Sequence, residues 1–322
     1  MNLQHEITAY LRHCEFHKKL NSKSLKAYSI DLKQFIMQCG TISECDITKA
    51  TISNYIIQLH QTFKPRTVRR KLASLRAFLN FLEFEEIIQT NPIHKIKSKF
   101  QEPKILPKII PLKFIERLLK EAYSDMNRAK TSFSFFSAQR DLAVVEMLFA
   151  TGLRVSELCT LKRNDVNLEE GNLILMGKGA KERIIQIGNY EVLSTLRKYY
   201  NDNNGRINQS GYFFSNRFKS RLSEQSVRII LRRLQKQAGV PLQITPHMFR
   251  HSFATLLLEE DVDIRYIQQM LGHSSIQTTQ IYTHVTSEKQ RQILTVQHPR
   301  NRILIYSSPN CSSAGDSQPY GR

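Results

Sequence analysis

Along residues 1–90 the apolar positions recur at the spacing of amphipathic helices, and glycine and proline interrupt them only at Gly40 and Pro65. The pattern predicts helices over about 3–20, 23–38, 46–60 and 66–86, which together make a small helical N-terminal domain, 1–90. In the last helix Val68, Leu72, Leu75, Leu79 and Leu82 form one apolar stripe, with Arg66, Arg69, Arg70 and Arg76 on its flanks and back. From residue 87 the pattern breaks. Pro92, Pro103, Pro107 and Pro111 stand among lysines, so 91–111 reads as a stiff interdomain linker.

A second domain, 112–298, opens with a helix over 112–123. The polar, aromatic stretch 124–139, SDMNRAKTSFSFFSAQ, reads as a surface loop. RDLAVVEMLFATGLRVSELCTL then predicts an apolar helix, a break at Gly152 and a short second helix. NLILM and RIIQI are two β-rich runs flanking GKGAKE, the pattern of a hairpin with Lys178 near its tip. Helices follow over 190–201 and 224–238, the latter carrying the basic run RIILRRLQK, a DNA-facing or interface helix. Thr245-Pro246 starts another helix, with Thr as N-cap and Pro at the first helical position. Asp263 caps the next, whose Ile264, Ile267 and Leu271 form an apolar face, and Gly272 stops it. His273 thus leaves on a turn, and Tyr282 follows in a short helical piece. Beyond Pro299 the chain is rich in Ser, Pro and Gly, so 299–322 reads as a tail, disordered at least over 307–322. The fold class is mainly α with one small β-hairpin or sheet, in two domains: a helical one and an α/β one.

Charge narrows the partner. The 322 residues carry 47 Lys and Arg against 28 Asp and Glu, a net +19, which points to a polyanion, nucleic acid before an anionic membrane. Residues 64–76, KPRTVRRKLASLR, hold Lys64, Arg66, Arg69, Arg70, Lys71 and Arg76 and no acid; we read this helix as a phosphate contact. No apolar run nears the roughly 18 residues that span a bilayer, and MNLQHEITAYLRHCEF lacks the apolar core of a secretory signal. Five cysteines with no CxxC pair read as reduced thiols of a cytoplasmic, nucleoid-associated protein.

The chemistry-bearing residues concentrate late in the chain. His247, Arg250 and His251, at i, i+3 and i+4, share one side of a helix start, where unpaired N–H groups favour anions. Arg154 and Glu157, taken alone, read as an exposed ion pair rather than a site. If Arg154, Lys178, Arg250, the histidines and Tyr282 converge, two guanidiniums can clamp a phosphate and neutralise the charge that grows on it. Neither metal nor cofactor is then required. A tyrosine attack would give a phosphotyrosine and free a 5′-hydroxyl, with Lys178 as the natural acid and histidine assisting. The covalent link keeps the phosphodiester energy, so rejoining needs no ATP. Rival sites are weaker. Zinc at His247 and His251 would sit beside Arg250, and position 248 is Met where HExxH has Glu. The acidic group Glu259, Glu260, Asp261 and Asp263 reads as a solvated turn rather than a two-metal centre. GKGAKE does not fit the P-loop pattern, which removes a nucleotidase reading. A non-catalytic basic DNA binder explains the charge but not the Arg, His and Tyr concentration.

The pieces ATGLRVSEL, GKGAKER, HMFRHSFATLLLE and LGHSSIQTTQIYTHV, in this order, closely resemble the active-site boxes of the tyrosine recombinase (phage integrase) family, in its XerC/XerD branch. The resemblance extends more weakly from residue 1 to about His298. It implies that Arg154 and Arg250 bind the scissile phosphate, Lys178 is the general acid and Tyr282 the nucleophile. It also implies that His247 and His273 assist, with Glu157 supporting and His251 as the second histidine of HxxRH. It further implies a two-domain clamp on double-stranded DNA, the helical core-binding domain on one face and the catalytic domain on the other. Four subunits, alike or of two kinds, would assemble on two sites and exchange strands through a Holliday junction. A C-terminal helix, here 286–296, would dock in a neighbouring subunit. Dimer resolution and mobile-element integration or excision both fit, as does need for a second recombinase or an accessory DNA-binding factor. Type IB topoisomerases use similar chemistry and remain the alternative.

Overall fold

The computed structural model describes residues 3–40, 47–96, 108–176, 182–272 and 287–303. Its contacts divide the chain into two compact units, Met1–Ile105 and Leu106–Arg322.

The N-terminal unit is four helices, α1 (Leu3–Phe16), α2 (Ser22–Cys39), α3 (Lys49–Thr62) and α4 (Pro65–Phe84), followed by a 3-10 turn, Pro92–Lys95. Local chemistry sets their ends. The Asn21 side chain accepts from Ser24 N and starts α2; Thr48 does the same for α3 through Thr51 N; Pro65 occupies the first position of α4. The expected stripe of α4 is buried in full, and Phe78 joins it against Tyr10, while Phe35 meets Tyr55 edge-on across the same core. The 3-10 turn belongs to this core as well. Asn91 donates its N–H to Glu83 Oε1 at 3.0 Å and caps Ile93 N at 3.0 Å, and Ile93 is buried. The expected linker therefore begins folded; its residues 97–107 lie outside the described ones.

The C-terminal unit is built round α6 (Ser132–Thr151), which follows α5 (Leu112–Arg128). Almost every residue of α6 from Phe136 onward is buried, the mark of a helix packed on all sides. After it come α7 (Val155–Thr160), strands β1 (Val166–Asn167), β2 (Asn172–Met176) and β3 (Glu182–Gln186), then α8 (Tyr190–Ser210) and α9 (Glu224–Gln237). The strands form one antiparallel sheet in the order β1-β2-β3, with Leu173 opposite Ile185 and Leu175 opposite Arg183. The hairpin is where the sequence put it, although its turn, 177–181, is outside the described residues. Three further helices, α10 (Pro246–Glu259), α11 (Ile264–Leu271) and α12 (Ser287–Val296), enclose a small apolar cluster that includes Phe253, Leu257, Met270 and Leu294.

Two expectations are corrected here. The stretch 124–139 is not a loop: α5 runs on to Arg128 and α6 begins at Ser132. Thr131 and Ser134 cap each other's backbone in a capping box, and Phe136 is buried, so the serine-rich run is a helix start. Residues 299–303 are not a loose tail. Pro299–Arg302 form a 3-10 turn that carries Arg300 into the core, where it is fully buried. Its Nε and Nη2 donate to the two oxygens of Glu146, at 3.0 and 2.9 Å, and its Nη1 donates to Ile303 O at 3.0 Å and lies 2.8 Å from Glu191 Oε2. A charge with so many partners is held inside rather than left to solvent. Ahead of this turn α12 packs on its own chain. Gly188 lies so near it that a Cβ there would sit 2.4 Å from the carbonyl carbon of Leu294.

Candidate active site

The site grows from two helix ends. Gly152 closes α6 with φ 60°, and an added Cβ would meet Phe253 at 2.8 Å, so both the left-handed turn and the close packing demand glycine. Gly272 closes α11 in the same way, with φ 64°. Each end leaves carbonyls bearing partial negative charge, and arginines fill both. Arg250, in the first turns of α10 and only 6% exposed, donates from Nη1 to Gly152 O at 3.0 Å and from Nη2 to Leu271 O at 2.6 Å. Arg154, at the start of α7, directs Nη2 toward Gly272 O at 3.4 Å. Two sequence-distant arginines are thus fixed around one pair of turns.

Glu157 organises the first of them. Its Oε2 accepts from Arg154 N at 2.8 Å and from Arg183 Nη2 at 2.9 Å, while Oε1 accepts from Arg154 Nη1 at 2.8 Å. The Arg154–Glu157 pair is more than an exposed ion pair: Arg154 is 38% exposed, but the carboxylate is 13% exposed and shared among three donors. Burial opposes its ionisation, but the Arg154 N–H and the Arg183 charge outweigh burial and hold its carboxyl below the usual range. The balance of charge is still positive. Burial first, then the neighbouring Arg154 and Arg183, push Arg250 down to about 10, against the pull of Glu157. It stays protonated at neutral pH, so Arg154, Arg183 and Arg250 together carry more positive charge than Glu157 offsets.

His247 and His251 stand exposed on α10, flanking the inward-turned Arg250. Burial, His247 and Arg250 lower the His251 pKa, which favours a neutral imidazole able to accept a proton. Lys178, His273 and Tyr282 lie outside the described residues. Arg183 was not singled out by the sequence reading. The signal was there: on β3 it shares a face with the buried Ile185, a charge at an inward strand position. Among the described residues no three His, Cys, Asp or Glu side chains gather as a metal site would need. None of the described helices is long and apolar enough to cross a membrane.

On α4, Lys64, Arg66, Arg69, Arg70 and Arg76 are exposed, but Lys71 is not. Its ammonium is 3.1 Å from Asp31 Oδ1, also bonds Gln34, and lies over the Phe63 ring at 4.9 Å from the centroid. Asp31 is itself buried and takes Arg70 and the Ser74 hydroxyl as well. Lys71 therefore ties α4 to α2 and drops out of the expected DNA contacts. A lone buried carboxylate needs a counter-charge, and position 71 supplies it.

Residues 116–289 match the Phage integrase family and residues 7–86 match the Phage integrase, N-terminal SAM-like domain. The chain is 50% identical to a tyrosine recombinase of Agathobacter rectalis over 299 residues, 93% of this chain and 98% of that protein. It is 32% identical to tyrosine recombinase XerC of Bacillus pumilus over 309 residues, covering 93% and 98% of the two. Among solved structures it resembles XerH site-specific recombinase bound to a palindromic difH substrate, at TM-score 0.67 and 21% identity over 88% of this chain and 83% of that one. Lambda integrase residues 75–356, a dimer bound to a COC′ core site, gives TM-score 0.66 and 18% identity over 89% and 100%. These two likenesses are of fold.

Proposed function

This chain belongs to the phage integrase family, the tyrosine recombinases, and from that premise we propose how it breaks and rejoins DNA. Its activity is site-specific DNA recombination. Arg154 and Arg250 hold the non-bridging oxygens of the scissile phosphate, Tyr282 attacks phosphorus to form a 3′-phosphotyrosine, and the 5′-oxygen leaves with a proton from Lys178. His247 and His273 steady the phosphate and the phenolic proton, His251 serves beside them, and Glu157 keeps Arg154 in place. The reverse attack by a 5′-hydroxyl of the partner strand reseals the backbone and restores the phenol. The observation that carries this reading is the gathering of Arg154 and Arg250 on the carbonyls of two glycine-closed helix ends, with more positive charge than Glu157 offsets.

The enzyme uses no metal or ATP in this reading, because the guanidiniums supply the charge and the phosphotyrosine stores the bond energy. Its partner is a double-stranded recombination site, with Lys64, Arg66, Arg69, Arg70 and Arg76 on the backbone phosphates. A lambda integrase tetramer is known on a Holliday junction; we infer a tetramer on two sites here, with a second recombinase or accessory factor as optional company. A cytoplasmic, nucleoid-associated location follows from that substrate.

A nicked suicide duplex tests the chemistry. With EDTA present, the wild type should form a covalent adduct and Tyr282→Phe should form none; an undiminished adduct in the variant sinks the proposal. Strand-exchanged junction products separate recombination from simple relaxation. Sequencing the trapped DNA ends separates dimer resolution from mobile-element integration.

A further inference from the structure

Arg183 touches three separate parts of the site at once. It rises from β3, in the strand that follows the Lys178 turn, and its side chain is 13% exposed. Nη2 donates to Glu157 Oε2 at 2.9 Å, the oxygen that also takes Arg154 N. The rest of the guanidinium lies under the turn that ends α11: a Cβ on Gly272 would be 2.8 Å from Nη1, 3.0 Å from Cζ and 3.1 Å from Cδ. Arg250 grips Leu271 O one residue earlier, and Arg154 reaches Gly272 O itself. Arg183 Nε is buried without a partner among the described residues.

A salt bridge serving only the fold has no reason to gather this way. It would pair with a carboxylate away from Arg154 and Arg250, whose charges repel it. The three guanidiniums with one carboxylate carry a net charge of two. That charge matches a phosphorane with two negative oxygens better than it matches the singly charged diester. Arg183 holds the carboxylate that holds Arg154, and the same side chain packs closely against the Gly272 turn.

We propose that Arg183 is a positioning residue for phosphoryl transfer, locking Glu157 and the Gly272 turn into one unit so that Arg154 and Arg250 address the same phosphate. The proposal rests on the recombinase reading above. A lysine keeps the charge but cannot pair with Glu157 and lie flat under Gly272 together.

The test is single-turnover cleavage of the nicked duplex at saturating protein, with DNA affinity and melting temperature measured alongside. Arg183→Lys and Arg183→Met should each cleave about 10- to 100-fold more slowly, the scale of a misaligned reacting group. DNA affinity should hold near wild type, and Arg183→Lys, which keeps a cation beside Glu157, should hold the melting temperature as well. The Glu157→Gln/Arg183→Met double variant should be no slower than the worse single, because one residue acts through the other. Wild-type rates in both variants would overturn the role, as would a rate loss that follows melting temperature and affinity, or losses that multiply in the double variant. Tyr282→Phe is run in parallel. If it still forms adducts, the recombinase mechanism itself fails; if it forms none while the Arg183 variants cleave normally, only the positioning role fails.

Discussion

Arg250 keeps its charge inside the protein by taking the carbonyls at the ends of α6 and α11, and this sets its sensitivity to substitution. Arg250→Lys retains a cation but can satisfy only one of the two carbonyls while reaching a phosphate. Cleavage should fall by about 10²–10³-fold with site binding largely kept; retained cleavage in a suicide-duplex assay would count against the phosphate clamp. His298 makes a prediction of another kind. Burial first, and then the Arg300 charge, lower its pKa to about 3, and its Nδ1 accepts from Arg300 N at 2.9 Å. The folded form thus refuses a proton that the unfolded chain binds near pH 6.5. The unfolded state holds more protons in that window, so stability rises with pH there and is lost as pH falls below about 6.5. Between pH 6.5 and 5 this residue alone should contribute about 1.4 kcal/mol per pH unit. Denaturant titrations should find that slope in the wild type and not in His298→Gln. At this scale the sequence spoke unevenly. Arg250 stood out by type and spacing, Arg154 and Glu157 entered as site residues only through the family resemblance, and Lys71 and Arg183 were misread or passed over. Their meaning depends on Asp31 and Glu157, which arrive from other parts of the chain.

Helices were the most legible elements, because periodicity and capping act within a few residues. α11 is capped by Asp263 and stopped by Gly272 as foreseen, and α10 starts at Pro246 as foreseen, although the Thr245 side chain makes no cap bond there. The stretch between α5 and α6 was misjudged because its serines look like loop chemistry, and only the Thr131–Ser134 box and the burial of Phe136 reveal a helix start. The α4 surface yields a test. Alanine at Lys64, Arg66, Arg69 or Arg76 should each flatten the slope of log affinity against log salt by about 0.9. Lys71→Ala should leave that slope alone and cost about 1–3 kcal/mol of stability instead, because Asp31 loses a buried donor. Salt titrations of binding, paired with urea melts, check both; an unchanged melt for Lys71→Ala would refute its inward role.

At the scale of the whole chain, each of the two units has its own main apolar core, and each core is completed by a segment that composition alone would assign to a linker or tail. Ile93 closes the first; Arg300 and Ile303 close part of the second. Polar sequence hides such closures, since their stability comes from one or two buried side chains rather than from a periodic face. Truncation distinguishes the parts. A chain ending at Ile303 should melt and cleave as the full one does. Ending at Gln297 removes Arg300 and leaves Glu146 buried without its guanidinium, which should cost about 3–5 kcal/mol and lower the melting temperature of the catalytic unit.

The Glu146–Arg300 pair joins α6 to a stretch 154 residues further along. During synthesis the N-terminal unit can fold as soon as it emerges, but the catalytic unit must wait with a carboxylate in its centre that has no cation yet. A ribosome-bound nascent chain halted before Arg300 should therefore be cut across α6 more readily than the released full chain. The enzyme's cutting half would reach its full stability only after translation has passed that codon.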